Sequence, residues 1–169
     1  MNTDLLAIVQ KIKKITGECP GKKQLQKMVY LIQARGISLE YEYGIHFYGP
    51  YSEALNRDLL SLYMNGAVDF NQESLAHKIS PSSDIPAEMT LAPERVNIVD
   101  SVLYSYKDMS PSKLELITTA HFVAMNVKST AQGILAGVIK IKGDKYSVSQ
   151  INDAINHLES NDLLLTSHN

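Results

Sequence analysis

Two amphipathic helices are predicted at the start of the chain. Apolar residues recur at helical spacing among lysines over residues 4–16 and again over residues 21–34. Gly17 and Pro20 break the first pattern, and Gly36 ends the second. Each helix is therefore expected to bury one apolar face and to leave a lysine-rich face in water.

Residues 41–48 form an aromatic, alternating segment that predicts a β-strand. Gly49 and Pro50 come directly after this segment and predict a sharp turn, because glycine permits the reversal and proline cannot continue a strand ladder. The turn would bring Ser52 to the start of a third helix, where its hydroxyl can cap a backbone amide.

The third helix is expected to end at Asn65-Gly66. Two short segments, 67–70 and 77–80, then predict a pair of strands that forms a small wing. Three helices and then a strand pair is the order of a winged-helix unit. We therefore interpret residues 1–80 as a winged-helix-like unit.

Residues 81–92 show no sustained hydrophobic period and contain two prolines, so they predict a linker or loop. Pro93 suits the first turn of a helix that continues to Tyr106. Three further helices are expected to start at capping boxes, in which a serine hydroxyl and a side chain three residues later both satisfy backbone amides. These boxes are Ser112 with Glu115, Ser129 with Gln132, and Ser147 with Gln150.

The patterns together predict a mainly α protein with a small β component (α+β). In this fold a winged-helix-like first half packs on a C-terminal helical unit at residues 93–169. An internal echo is also present, because residues 55–68 align with residues 151–164 at a constant offset. Two interpretations of the echo remain open: a coincidence between two amphipathic helices with stop signals, or a second winged-helix-like unit whose wing is reduced or lost.

The composition is that of an ordinary globular protein, since 44% of the 169 residues are hydrophobic and 20% are charged. No apolar stretch approaches the roughly 18 residues that a membrane span requires, and residues 1–30 lack the layout of a signal peptide. The single cysteine, Cys19, cannot form an internal disulfide or a cysteine-based zinc site. We therefore expect a cytoplasmic protein without a membrane partner.

Charge is distributed unevenly, although the formal net charge is only -2. Residues 1–36 contain seven basic and two acidic side chains, whereas the remainder contains nine basic and sixteen acidic ones. Either the basic helices meet an anionic partner, or their lysines simply solvate the outer helix faces. A net negative charge is not typical of a protein whose main task is to bind DNA.

The sequence lacks the signatures of common catalytic sites. Its five histidines are scattered, with no pair at the helical spacing of metal ligands, and His121 is interpreted as a core residue. No nucleophile elbow, phosphate-binding loop or dinucleotide-binding glycine motif occurs. Cys19 has no neighbouring base that would activate its thiol. We therefore expect neither an enzyme nor a metal or cofactor.

The residues most suited to binding lie between positions 22 and 66. Tyrosine offers a large, stiff contact area with a polar tip, which suits protein interfaces. On a strand, however, tyrosines also pack the core and screen the edge, so both interpretations remain open. The candidate protein-binding residues are Lys23, Lys27, Tyr30, Tyr41, Tyr43, Tyr48 and Tyr51.

Part of this region resembles a known family. The run Lys23-Gln24-Leu25-Gln26-Lys27-Met28-Val29-Tyr30, with Phe47-Tyr48-Gly49-Pro50-Tyr51-Ser52 after it, is similar to the signature of the Panacea (SocA-like) antitoxin domain. It is closer still to the YwgA-type relatives of that domain. The resemblance covers residues 20–70, and Met28 stands where leucine is usual.

The resemblance implies a small, mostly helical bacterial or phage protein that neutralises a toxin by direct binding, or delivers it to a protease as an adaptor. It implies no metal, cofactor or catalytic residue. It also implies a structural role for Gln26, Lys27 and Tyr30 on the second helix and for Tyr48, Gly49 and Pro50 at the turn. These residues would hold the helix against the strand.

We therefore predict a non-enzymatic, antitoxin-like interaction module. Its partner would be a protein, either a toxin or a protease system, bound through the tyrosine-rich strand and the basic N-terminal helices. The alternative is a winged-helix DNA-binding regulator that places the helix at residues 52–65 in the major groove. That helix has Arg57 as its only base, with Glu53 and Asp58 nearby, so nucleic acid is not the favoured partner.

Overall fold

The computed structural model describes residues 2–73 and 76–164, and His168 lies outside this range. The described residues form a mainly helical protein with two small antiparallel sheets, which confirms the predicted α+β class. The elements in chain order are α1 (Thr3–Thr16), α2 (Lys22–Ala34), β1 (Gly44–His46), β2 (Gly49–Tyr51), α3 (Glu53–Met64), β3 (Val68–Glu73), β4 (Ala76–Pro81), α4 (Pro93–Tyr106), α5 (Pro111–Asn126), α6 (Ala131–Lys142) and α7 (Val148–Ser160).

The chain divides into two compact units. The first contains the described residues up to Tyr43 together with Ser52–Met109, and the second contains Gly44–Tyr51 together with the described residues from Ser110 onward. The prediction placed the boundary at a linker, residues 81–92, between units at 1–80 and 93–169. The structure divides the chain differently. The reason is that α4 packs on α1 and α2, so its apolar face completes the core of the first unit.

The loop that precedes α4 is held to α1 by side-chain hydrogen bonds. The side-chain Nε2 of Gln10 donates to the carbonyl of Pro86 at 2.8 Å, and its side-chain Oε1 accepts from the backbone amide of Met89 at 2.7 Å. Leu91 is buried near the end of the loop. The segment thus has no regular secondary structure, as predicted, yet it is an integral part of the first unit.

The hairpin β1–β2 corrects the predicted strand at 41–48. Only Gly44–His46 is extended and paired, and Phe47 and Tyr48 form the turn. Gly49 and Pro50, predicted to form the turn, are instead buried in β2, where Pro50 lies opposite Ile45. Gly49 has a φ of 91°, which is the left-handed conformation commonly needed just after a tight hairpin turn and which favours glycine. In the second unit, β2 packs on α5.

The N-caps correct two of the three predicted capping boxes. Ser110 caps α5 and Thr130 caps α6, so the boxes predicted at Ser112 and Ser129 do not form. The box at Ser147 with Gln150 is confirmed at the start of α7. In all three helices a hydroxyl residue caps the backbone, but sequence spacing alone misplaced two of the starts.

The internal echo reappears in the hydrogen bonds that end α3 and α7. At the end of α3 the amide of Ala67 donates to the carbonyl of Leu62 at 2.9 Å, and at the end of α7 the amide of Leu163 donates to Leu158 at 2.9 Å. The residue before each donor has a positive φ. The two ends differ in the next element, because α3 leads into β3 whereas no strand comes after α7 up to Leu164, where the described residues end.

No single helix among the described residues is long and apolar enough to cross a bilayer; only α5 and α6 taken together, across a bend of 119°, meet the length and composition required.

Candidate protein-interaction surface

The motif residue Gln26 forms a buried clamp on the N-cap of α3. Its side-chain amide donates to the carbonyl of Ser52 at 3.0 Å, while its side-chain carbonyl accepts from the Ser52 amide at 3.0 Å. Ser52 in turn accepts from the amide of Leu55, which caps α3. Gln33, two helical turns later on α2, pairs with the backbone of Tyr41 in the same way. The role of these two glutamines is structural. Each side chain provides hydrogen-bond partners for a backbone amide and a backbone carbonyl that folding removes from water.

Three of the candidate interface tyrosines belong to the interior of the first unit. Tyr30 and Tyr41 are buried, and Tyr43 is half-buried with its ring edge-on to that of Tyr30 at 5.0 Å. The Tyr41 hydroxyl donates to Asp58 on α3 at 2.8 Å. Burial raises the pKa of all three phenols above its ordinary value, so they stay neutral. Tyr30 and Tyr41 therefore fit the second interpretation, in which alternate tyrosines pack the core, and Tyr43 is partly covered by the Tyr30 ring.

Carboxylates of the first unit neutralise two of the basic side chains at the start of the chain. Lys11 pairs with Asp100 at 2.7 Å and Lys14 pairs with Glu88 at 2.9 Å. Lys27, a candidate binding residue, is only 4% exposed and cannot present its charge to a partner, whereas Lys23 is exposed. Acidic residues of the first unit therefore neutralise part of the positive charge at the start of the chain.

In the second unit, Tyr48 and Phe47 lie exposed at the tip of the β1–β2 hairpin. Phe47 is 79% exposed and Tyr48 is 45% exposed, with the two rings edge-on at 4.9 Å. Tyr51 is half-buried, with its ring centre 4.9 Å from that of His46. Of the seven candidate binding residues, only Tyr48 and Lys23 are thus well exposed.

A buried ionic cluster supports this hairpin tip. The Lys142 ammonium donates to Glu115 at 2.7 Å and to the carbonyl of Phe47 at 2.6 Å, and Lys145 donates to the same Glu115 oxygen at 2.8 Å. Burial raises the pKa of Glu115, but the hydrogen bonds and charges of the two lysines outweigh it and lower the pKa below its ordinary value. Glu115 is therefore ionised, and its role is to neutralise Lys142, whose side chain is only 3% exposed.

The first unit carries an exposed apolar surface that the sequence prediction did not include. Leu60, Tyr63 and Met64 share one outward face of α3, and their exposures are 48%, 46% and 78%. The ring of Phe70 on β3 stacks on that of Tyr63, with centroids 4.7 Å apart and planes 15° from parallel. We name these four residues the α3–β3 patch. Several large apolar side chains side by side in water are characteristic of an interaction site, unlike a single exposed leucine.

Two cations lie at the rim of the α3–β3 patch. The Lys22 ammonium lies 4.3 Å from the centre of the Phe70 ring, which is a cation–π contact. Arg57 precedes Leu60 by three positions and Met64 by seven, so it lies on the same face of α3. Within residues 2–73 and 76–164 neither cation forms an ion pair. The rim can therefore attract a carboxylate from another molecule.

A sequence signal for the patch does exist. The buried side of α3 is formed by Leu55, Leu59 and Leu62, which satisfy the helical period by themselves. Leu60, Tyr63 and Met64 fall outside this stripe, so their apolar character is not explained by the core. An apolar residue on the polar side of an amphipathic helix is the observation that points to a second contact surface.

The titratable groups of the described residues form no cluster that resembles a metal centre. His121 is buried on α5, as predicted for a core histidine, and burial lowers its pKa to about 4. In the first unit, an open groove of about 640 Å³ lies between α1 and the loop before α4.

These features define a mainly helical α+β protein whose most distinctive surface is an exposed aromatic and apolar patch. The chain is 27% identical over 162 residues to the uncharacterised protein YwgA of Bacillus subtilis, an alignment that covers 90% of this chain and 93% of the relative. No family model matches the chain. The comparison thus supports similarity to a YwgA-type protein along nearly the whole sequence.

Proposed function

We propose that this chain is a non-enzymatic protein-interaction module, antitoxin-like, that neutralises or adapts a partner protein by direct binding. The observation that carries the proposal is the α3–β3 patch, in which three exposed side chains and the half-buried Phe70 ring lie beside two cations that form no ion pair among the described residues. Tyrosine and arginine are enriched among the residues that dominate binding energy in protein interfaces. The resemblance of residues 20–70 to the Panacea antitoxin domain supports the antitoxin part of the proposal.

The patch replaces the surface that was expected from the sequence. Binding is assigned to the outward face of α3 and to β3, whereas Tyr30, Tyr41, Tyr43 and Lys27 stabilise the first unit from within. The same face gives no support to the alternative of a DNA-binding regulator. A recognition helix needs several bases and polar groups toward the phosphates and base edges, and this face offers Arg57 beside three apolar side chains.

Site-specific photo-crosslinking tests the proposal in cells that naturally make the protein. A photoreactive phenylalanine analogue replaces Tyr63 in one strain and, as a matched control, Tyr104 in another, since both tyrosines are exposed on helices of the first unit. We expect a discrete crosslinked protein only from position 63. Equal products from the two positions would contradict a specific role for the patch.

The crosslinked protein then allows the antitoxin function to be tested directly. It is expected to arrest growth when expressed alone, and co-expression of this chain is expected to restore growth. Truncating a central interface aromatic costs about 2 kcal/mol or more of binding free energy, which is roughly thirty-fold in affinity. Tyr63→Ser should therefore fail to restore growth at matched protein levels, whereas Tyr104→Ser should succeed. Restoration by both variants would refute the assignment.

A further inference from the structure

The β3–β4 sheet, which was predicted as the wing, has one covered edge and one open edge. β3 and β4 form an antiparallel pair, and the other side of β4 meets the segment before α2, where Gly21 forms a bridge with Lys78. The amide of Ile79 in β4 donates to the carbonyl of Pro20 at 2.8 Å. The outer strand of this sheet is therefore β3.

The direction of the Ile79 amide shows which way the backbone N–H and C=O of the opposite residue on β3 point. In an antiparallel ladder, two opposed residues either exchange both hydrogen bonds or both point away from each other. Phe70 lies opposite Ile79, and Ile79 points away toward Pro20, so the N–H and C=O of Phe70 also point away from β4. Among the described residues these two groups have no hydrogen-bond partner.

The open edge and the α3–β3 patch therefore meet at one residue. Phe70 offers an unpaired amide and carbonyl along the edge, and its ring continues the apolar surface through Tyr63. An extended peptide that adds to a sheet edge gains affinity from main-chain hydrogen bonds and specificity from pockets for alternate side chains. Lys22 and Arg57 add a requirement for negative charge, because neither has a carboxylate partner among the described residues of the first unit.

Building on the proposed function, we infer that the partner binds through an extended, acidic segment that adds as a strand to the outer edge of β3. Every second side chain of this segment packs on the α3–β3 patch, and a carboxylate reaches Lys22 or Arg57. The complementary charge distinguishes this occupant from a second copy of the chain. If two β3 strands paired with Phe70 opposite Phe70, two copies of Lys22 would come together, while Asp69, which alternates with Phe70 along the strand, would lie on the other face of the sheet.

Peptide display tests this inference with a defined probe. Random 12-residue peptides on phage are selected against the full-length chain, and an enriched peptide is then synthesised. We expect enriched sequences with alternating apolar residues and at least one carboxylate. Replacing that carboxylate by its amide should weaken binding several-fold, and the effect should fade at high salt. Enrichment of peptides without charge or alternation would overturn the inference.

A matched pair of substitutions isolates the main-chain contribution. Phe70→Ala and Phe70→Pro both remove the ring, but only proline also removes the outward amide, and an edge strand tolerates proline at such a position. We expect the peptide to bind the proline variant about ten-fold more weakly than the alanine variant, as the loss of one well-placed hydrogen bond predicts. Equal affinities would refute strand addition.

If the proline variant does not fold, amide hydrogen exchange of the unmodified protein tests whether the peptide adds as a strand to β3. Peptide binding is expected to slow exchange at Phe70, and unchanged exchange there would overturn the inference. Tyr63→Ser separates the two proposals. If it abolishes binding while the two Phe70 variants bind equally, the patch binds partners without strand addition; if it changes nothing, the patch itself is not the binding surface. Concentration-dependent dimers that disappear in Phe70→Pro would show that a second copy occupies the edge and would also overturn the inference.

Discussion

Replacing Gln26 by leucine tests how strongly one motif residue stabilises the first unit. Leucine has a similar volume to glutamine, so the substitution removes the paired hydrogen bonds to Ser52 with little change in packing. Gln26 is 4% exposed and Ser52 is fully buried, so water cannot replace the lost partners without local opening. The amide and carbonyl of Ser52 would then both be left unsatisfied at the start of α3.

The size of the effect is set by these two groups. Leaving a buried donor or acceptor without a partner costs about 1–3 kcal/mol. Two such groups predict a loss of about 2–5 kcal/mol in the free energy of unfolding, reduced by the added apolar burial of the leucine. For a chain of this length each kcal/mol lowers the melting temperature by roughly 2–4 °C. We therefore expect Gln26→Leu to melt roughly 5–15 °C below the wild type.

Urea denaturation monitored by circular dichroism provides the measurement. Gln24→Leu is the matched control, because Gln24 lies on the same helix and its side chain makes no hydrogen bond among the described residues. The control should stay within about 0.5 kcal/mol of the wild type, as ordinary surface changes do. A Gln26→Leu protein as stable as the control would refute the clamp as a source of stability.

Four other predictions concern buried groups and nucleic-acid binding. Glu115→Gln should lower the free energy of unfolding by about 3 kcal/mol because it leaves Lys142 buried without a counter-charge, and calorimetry should show partial recovery when Lys142→Met is added. Burial lowers the pKa of His121 from 6.5 to about 4, so at intermediate pH the unfolded state binds a proton that the folded state does not. The contribution of His121 to the free energy of unfolding should be complete above pH 6.5 and should fall by up to about 3 kcal/mol as the pH drops to 4. In acid titrations, His121→Gln should not show this loss. Gly137→Ala should cost about 1–3 kcal/mol in urea denaturation, since its new Cβ would lie 2.5 Å from a Val123 methyl, and Val123→Ala in the same chain should relieve the loss. In mobility-shift assays at low and moderate salt, a DNA duplex should show no salt-dependent binding; a shift that weakens steeply with salt would instead favour the DNA-binding regulator.

The helices could be predicted from sequence because each has its own local signal. The apolar period and the break residues locate α1 to α4 to within a residue or two, and Pro93 begins α4 as its fixed φ predicts. The capping boxes were less reliable. Ser112 and Ser110 both lie before the same apolar run, and Pro111 at the first helical position places the cap at Ser110.

The surroundings of the aromatic segment could not be predicted from its pattern alone. An aromatic run such as residues 41–48 has the same sequence signature whether its side chains face a partner or the protein core. The deciding contact, Tyr41 donating to Asp58, joins residues far apart in sequence. The apolar residues of α3 that belong to the patch are visible in the sequence. They lie outside the buried stripe of the helix, and a search for core residues does not consider that side.

α3 and α7 end with the same set of hydrogen bonds. In both helices an asparagine side chain donates to the carbonyl four residues earlier, Asn65 to Ser61 at 2.7 Å and Asn161 to His157 at 2.8 Å. Both pairs, and both backbone bonds that end the helices, are related by the offset seen in the sequence. Gly66 and Asp162 occupy the same left-handed position, where glycine is unstrained and aspartate is not. Asp162→Gly should therefore stabilise the second unit by roughly 1 kcal/mol in urea denaturation, and a destabilised variant would show that the two helix ends are not equivalent.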